Sequence, residues 1–186
     1  QFNSAGVAYL PPRGEAGQMK YIECPDPYLF YETEVSLFLG GGITGCPDWQ
    51  SEVVAALEDV DGTILNPRRS EFDVTDESLS SEQIAWEHRM MENATILLIR
   101  FTPKRLPDGR PDPQNVGPIC FFEFGYYLNS PRLVLWVDED YPRQQDIEEQ
   151  SRWKRDRDHL PPIPVVHSME EFADYVVEIV DQHQEL

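Results

Sequence analysis

Cations are scarce in this sequence, and that scarcity excludes more than any motif does. Fifteen Lys and Arg residues stand against 34 Asp and Glu, leaving a net charge of −19 over 186 residues. Nucleic-acid binding needs a cationic footprint that releases counterions, so this surface repels a polyanion, and no nucleic-acid polymer is expected as a partner. A small anionic ligand would need local arginines of its own. Cysteine is scarce as well. Cys24, Cys46 and Cys120 are odd in number and widely spaced, with no CxxC pair and no zinc spacing, so they read as free thiols. That fits a reducing compartment, and a cytoplasmic location is expected. No apolar run approaches the length of a membrane span, so no membrane partner is expected. The opening residues lack the basic-then-apolar layout of a secretory leader. Neither a GxGxxG run nor a Gly-Lys-Ser/Thr loop is present, which speaks against a dinucleotide or triphosphate site.

What is present is a chain long enough for one real core, with 40% hydrophobic and 11% aromatic residues. Residues 1–34 are rich in Pro, Gly and Tyr; "PPRG" and "CPDPY" read as an extended arm. From residue 35 to 186, strands and helices alternate. "VSLFLGGGITG" opens as a buried strand and breaks into glycines. Pro47 suits the first turn of a helix whose buried face carries Trp49, Val53, Ala56 and Leu57. "GTILNPRR" is a strand that stops at Asn66-Pro67. "SSEQIAWEHRMMENA" reads as a helix begun by a capping box, Ser80 to Gln83, with Trp86 in its core face. "TILLIRF" is a strand, residues 102–117 a Pro/Gly/Asp-rich loop, and "PICFFEFGYYLNS" a helix. The strand "RLVLWV", a charged helix over "RQQDIEEQSRWKRDRDH" and the strand "IPVVH" follow. A last helix is capped by Ser168 and Glu171 and has a stripe of Phe172, Tyr175, Val176, Ile179 and Val180. The alternation predicts an α/β, flavodoxin-like, doubly wound sheet of five parallel strands with helices on both faces. The most apolar run, Val35–Leu39, should be central between Thr63–Leu65 and Thr95–Phe101. In such sheets ligands bind beyond the carboxyl ends of the strands, at the switch point.

The loops after the first three of these strands therefore carry the candidate chemistry. Gly40, Gly41 and Gly42 either form a tight turn or let backbone approach a ligand, with Ile43 beside it. Arg68 and Arg69, just past Asn66, either pair with structural carboxylates or point into the pocket and hold a phosphate. Glu87 is a solvated helix residue unless it lies at the carboxyl edge of the sheet. Glu123 has Ile119, Cys120, Tyr126 and Tyr127 at helical spacing, so it is either a surface residue with apolar neighbours or a half-buried carboxylate suited to nucleophilic or acid/base work. An ordinary glutamate has a pKa of about 4.3, so a moderate rise would still leave mostly carboxylate at neutral pH.

"FLGGGITGCPDWQ", "LNPRR", "QIAWE" and "FEFG", in this order and on these elements, resemble the nucleoside 2-deoxyribosyltransferase-like family. The likeness covers the chain from residue 35 to about residue 137, and the remainder by fold alone. It implies cleavage or transfer at the N-glycosidic bond of a (deoxy)nucleoside or nucleoside 5′-monophosphate. The nucleophile of the family's Glu-x-Gly motif falls on Glu123, with Gly125 beside the ligand. The family's second acidic residue corresponds to Glu87, with Asp48 as the alternative. Gly41, Gly42 and Ile43 would then surround the ligand, together with Asn66, Arg68 and Arg69. The family's transferases carry an aspartate six residues before the nucleophile; here that position is Gly117, and "NPRR" marks a divergent branch. No metal and no cofactor are implied, and assembly into a homo-oligomer is. A non-catalytic nucleotide-binding module on the same fold is the rival reading.

Overall fold

A computed structural model describes residues 18–70, 77–114 and 116–185; "PPRG" lies outside the described residues. Three apolar stretches form the middle of one parallel sheet: β2 (Ser36–Gly41), β3 (Gly62–Asn66) and β4 (Ile96–Phe101). β2 pairs with β3 on one side (Leu37 opposite Ile64) and with β4 on the other (Leu39 opposite Leu98). Val35 itself precedes β2, but the expected central run and both its neighbours are in place. Nearly every residue of these strands is buried, as expected for a parallel sheet covered on both faces.

Among the described residues the sheet has six strands rather than the expected five. The extra one, β1 (Met19–Glu23), comes from the segment read as an arm and pairs in parallel with β3, Tyr21 opposite Ile64. The sequence signal was weak for a physical reason. β1 is an edge strand with a partner on one side only; its residues are half-buried or exposed, so MKYIE needs no apolar run. β5 (Leu133–Val137) and the two-residue β6 (Val165–Val166) complete the order β1-β3-β2-β4-β5-β6.

Among the described residues five helices cover the faces: α1 (Trp49–Ala56), α2 (Glu77–Asn93), α3 (Pro118–Tyr127), α4 (Gln144–Arg157) and α5 (Met169–Gln184). Trp49 and Val53 of α1 and Phe172, Val176 and Val180 of α5 pack on one face. Trp86, Met90 and Met91 of α2, Phe124 and Tyr127 of α3 and Ile147 of α4 pack on the other. Two helix starts differ from expectation. α2 begins at Glu77, so Ser80 lies inside it and caps nothing. α1 begins after Pro47, with Asp48 as the capping residue, and Ala56 faces solvent. The Ser168 cap holds: its hydroxyl accepts the Glu171 backbone N–H at 3.1 Å. Among the described residues no helix is long and apolar enough to cross a membrane.

The α5 contacts set a scale for stability. Phe172 is fully buried, its ring 5.6 Å from that of Trp136. Phe172→Ala should lower unfolding free energy by about 3–5 kcal/mol, the range for truncating a buried aromatic. Ser168→Ala should cost about 1 kcal/mol, a lost cap. Urea titration of the two variants checks the ranking.

Candidate functional site

Beyond Gly41 the chain leaves the sheet, and beyond Phe101 so does its neighbour β4. The two departures open a cleft of about 260 Å³ at the carboxyl edge, where the chain order reverses. Its walls are the glycine loop, the loop after β4, the first turns of α3 and, from α2, Glu87.

The glycines are there first for packing. Gly41 has φ +145°, and a Cβ on it would lie 2.5 Å from the Arg100 carbonyl oxygen and 2.9 Å from the Trp49 ring. No side chain fits between β2 and β4 at this point. The same bareness lets Gly40, Gly41, Gly42 and Ile43 present backbone to the cleft. Trp49 fixes the loop from below, its indole N–H donating to the Gly42 carbonyl at 2.9 Å.

Glu123 and Glu87 both line this cleft, from α3 and α2 respectively. Glu123 is 9% exposed. Burial pushes its carboxyl up to about 7, and the charge of Glu87 adds to the rise. Burial raises Glu87 too, but Gln83 donates to its carboxylate at 2.7 Å and His88 also favours the charged form. Glu87 therefore ionises first, and Glu123 is the last of the pair to release its proton. The expectation of a mostly ionised Glu123 at neutral pH needs correcting: near pH 7 the neutral and charged forms are comparable. Of the neighbours read from helical spacing, Cys120 and Tyr127 are buried, while Ile119 and Tyr126 face solvent together with Phe122.

Asp48, Asn66, Arg68, Arg69 and Gly125 do not line the cleft. Asp48 caps α1, accepting from the Ser51 N–H at 3.3 Å and its hydroxyl at 2.8 Å. Asn66 closes the turn after β3, donating to the Tyr21 hydroxyl and accepting the Arg68 N–H, both at 2.9 Å. The Arg68 guanidinium ties the glycine loop to α1. It donates to Gln50 Oε1 at 2.9 Å and to the Pro47 and Ile43 carbonyls at 2.8 and 3.2 Å, and lies 3.3 Å from Asp48. Arg69 pairs with Glu82 at 3.3 Å. Gly125 is solvent-exposed, and a Cβ there would meet nothing within 4 Å. Gly117, where the family's transferases have aspartate, does line the cleft; its φ of +59° suits glycine, and it leaves α3 without a side-chain cap.

Sequence reasoning passed over Lys104, Thr102, Cys46 and Tyr141, all at the cleft. The first two sit in the loop after β4, which the switch-point rule had already aimed at the site. Tyr141 holds that loop by donating its hydroxyl to the Val116 carbonyl at 2.6 Å. No group of three or more His, Cys, Asp or Glu among the described residues could hold a metal.

Two outcomes test these assignments. Arg68→Lys should destabilise the protein by about 1–3 kcal/mol, because one ammonium cannot satisfy acceptors spread around a planar fork. Amide exchange should quicken at residues 43–48. For Glu123 the sign follows from its raised pKa: the fold favours the neutral acid, so its contribution is complete below the ordinary glutamate value and is lost as pH rises towards 7. Glu123→Gln should therefore be more stable than the parent by about 1–3 kcal/mol above pH ~8, with the difference fading below pH ~4. Denaturant titrations across that range measure it.

No curated protein matches the chain. A family model does, over residues 34–141; it is described as "Nucleoside 2-deoxyribosyltransferase like".

Proposed function

The chain belongs to the nucleoside 2-deoxyribosyltransferase-like family, and on that premise we propose that it cleaves or exchanges the N-glycosidic bond of a (deoxy)nucleoside or its 5′-monophosphate. The observation that carries this reading is the meeting of Glu123 and Glu87, from separate helices, in one cleft at the sheet's switch point. Breaking the bond from C1′ to a base nitrogen builds positive charge on the sugar. A close carboxylate stabilises that charge and traps it.

In the proposed sequence the ionised Glu123 attacks C1′ and forms a glycosyl ester. The base departs with the bonding electron pair and takes a proton from water, while Glu87, already ionised, adds to the negative charge facing the sugar. Water or a second base, giving its proton to the Glu87 carboxylate, then attacks C1′ and frees Glu123. Glu87 is preferred over Asp48 for the second role because it lines the cleft, whereas Asp48 is engaged in capping α1. Self-association remains part of the proposal; the exposed Ile119, Phe122 and Tyr126 of α3 supply an apolar surface for it. The rival, a binding module without turnover, draws its support from Gly117, which brings no carboxylate to the cleft wall.

Chromatography of a nucleoside and nucleotide panel, with and without an acceptor base, decides between them: free or exchanged base marks an enzyme, intact ligand a binding module. Glu123→Gln should lower single-turnover base release by about 10³-fold or more while substrate affinity changes little, the pattern of a group acting in the transition state. Glu87→Gln should cost less. Because Glu123 must be ionised to attack, kcat/KM should rise with pH through an apparent value of about 7. A rate falling through that value would instead make Glu123 the acid.

A further inference from the structure

We propose that Lys104 holds an anionic group of the ligand, and that the preferred substrate carries a phosphate monoester at the 5′ position of its sugar. This rests on the glycosidic reading above. It starts from the ion pairs at this edge of the sheet. Arg100, which also lines the cleft, lies 3.0 Å from Asp138, and its guanidinium stacks 3.8 Å from the centre of the Trp136 ring. Arg68 is engaged by the glycine loop and Asp48, and Arg69 by Glu82. Arg105 pairs with Asp140, and Arg110 with Asp108. Lys104 alone of these cations has no hydrogen bond or ion pair from its ammonium to any described residue, although it is half-buried and faces the cleft.

An unpaired cation is unexpected in a chain with a net charge of −19, where carboxylates are plentiful. Its stem lies over Gly45, whose Cβ position is 3.4 Å from the Lys104 Cδ, so the side chain follows the glycine loop rather than reaching into solvent. The loop registers the resulting field. Burial pushes the Cys46 thiol up, while Lys104, Arg68 and Arg100 pull it down. The other charged wall is the carboxylate pair on α2 and α3. The cleft is therefore polarised, acidic where positive charge develops on the sugar and cationic along the glycine loop. A sugar phosphate matches both poles at once: C1′ at Glu123 and the monoester at Lys104. The ammonium acts as a point charge, a common way of binding phosphate.

The test compares a deoxynucleoside with its 5′- and 3′-monophosphates on the parent, Lys104→Met and Lys104→Arg. Methionine keeps the stem over Gly45 and removes only the charge. The parent should favour the 5′-monophosphate over the nucleoside by at least about tenfold in kcat/KM, more so at low salt. Lys104→Met should abolish that ratio, Lys104→Arg should retain most of it, and the 3′-monophosphate should gain nothing. Equal use of nucleoside and 5′-monophosphate by the parent, or a ratio unchanged in Lys104→Met, overturns the assignment while leaving the glycosidic reading standing. Calorimetric binding of the 5′-monophosphate that depends on Lys104 but releases no base upholds the assignment and sinks the glycosidic reading. Failure of the parent to bind either compound overturns both.

Discussion

The close approach of β2 and β4 governs this molecule. At Gly41 the two backbones are so near that a single Cβ would collide with the Arg100 carbonyl and the Trp49 ring. That contact sets the register of the central pair, and where it ends the strands release their loops on diverging paths. The cleft is the space between those paths. Trp49 and Arg100 are both part of this junction, the guanidinium lying 5.3 Å from the Trp49 ring centre and close over Trp136. Cleft and core thus share the same residues, and the glycines cannot be exchanged for the benefit of a ligand without disturbing the sheet.

The loops gain their rigidity from polar groups facing inward. Arg68 donates to the Ile43, Cys46 and Pro47 carbonyls as the chain turns between β2 and α1, the first of which also accepts the Cys46 N–H. Tyr141 does the same for the end of the long loop after β4. Gln83 links Cys24, the Pro67 carbonyl and Glu87 through contacts of 2.7 to 3.0 Å, tying the turn after β3 to the acidic wall of the cleft. Each is a hydrogen bond that stabilises modestly when made and costs more when one partner is removed. Together they hold two carboxylates in a partly dry space, which is why burial is the first cause of the raised pKa at both Glu87 and Glu123.

Periodicity and punctuation in the sequence determined most of the architecture. Apolar runs of strand length ending at Gly or Asn-Pro, alternating with helical stripes, leave few arrangements other than a parallel sheet covered on both faces. The switch-point rule pointed to three loops; those after β2 and β4 line the cleft, and of the loop after β3 only Pro67 does. β1 escaped because an edge strand needs little apolar character, and α2 was begun too late because a Ser-x-x-Gln pattern is equally at home inside a helix.

Side-chain roles at the site were another matter, and only tertiary structure decided them. Arg68, Arg69 and Lys104 are alike in sequence: cations in loops beyond strand ends. What separates them is whether an acceptor lies within reach, and those acceptors come from residues distant in the chain, such as Gln50 and Glu82. Glu87 was the first choice of second carboxylate and Asp48 the reserve, but only the fold has Glu87 lining the cleft and Asp48 capping a helix. Glu123 was legible as a carboxylate among apolar neighbours, but its proton affinity was not. Desolvation depends on everything packed around the group, and the charge that adds to it sits on another helix. Local pattern fixes which backbone forms; the electrostatics of a site belong to the space that distant segments enclose.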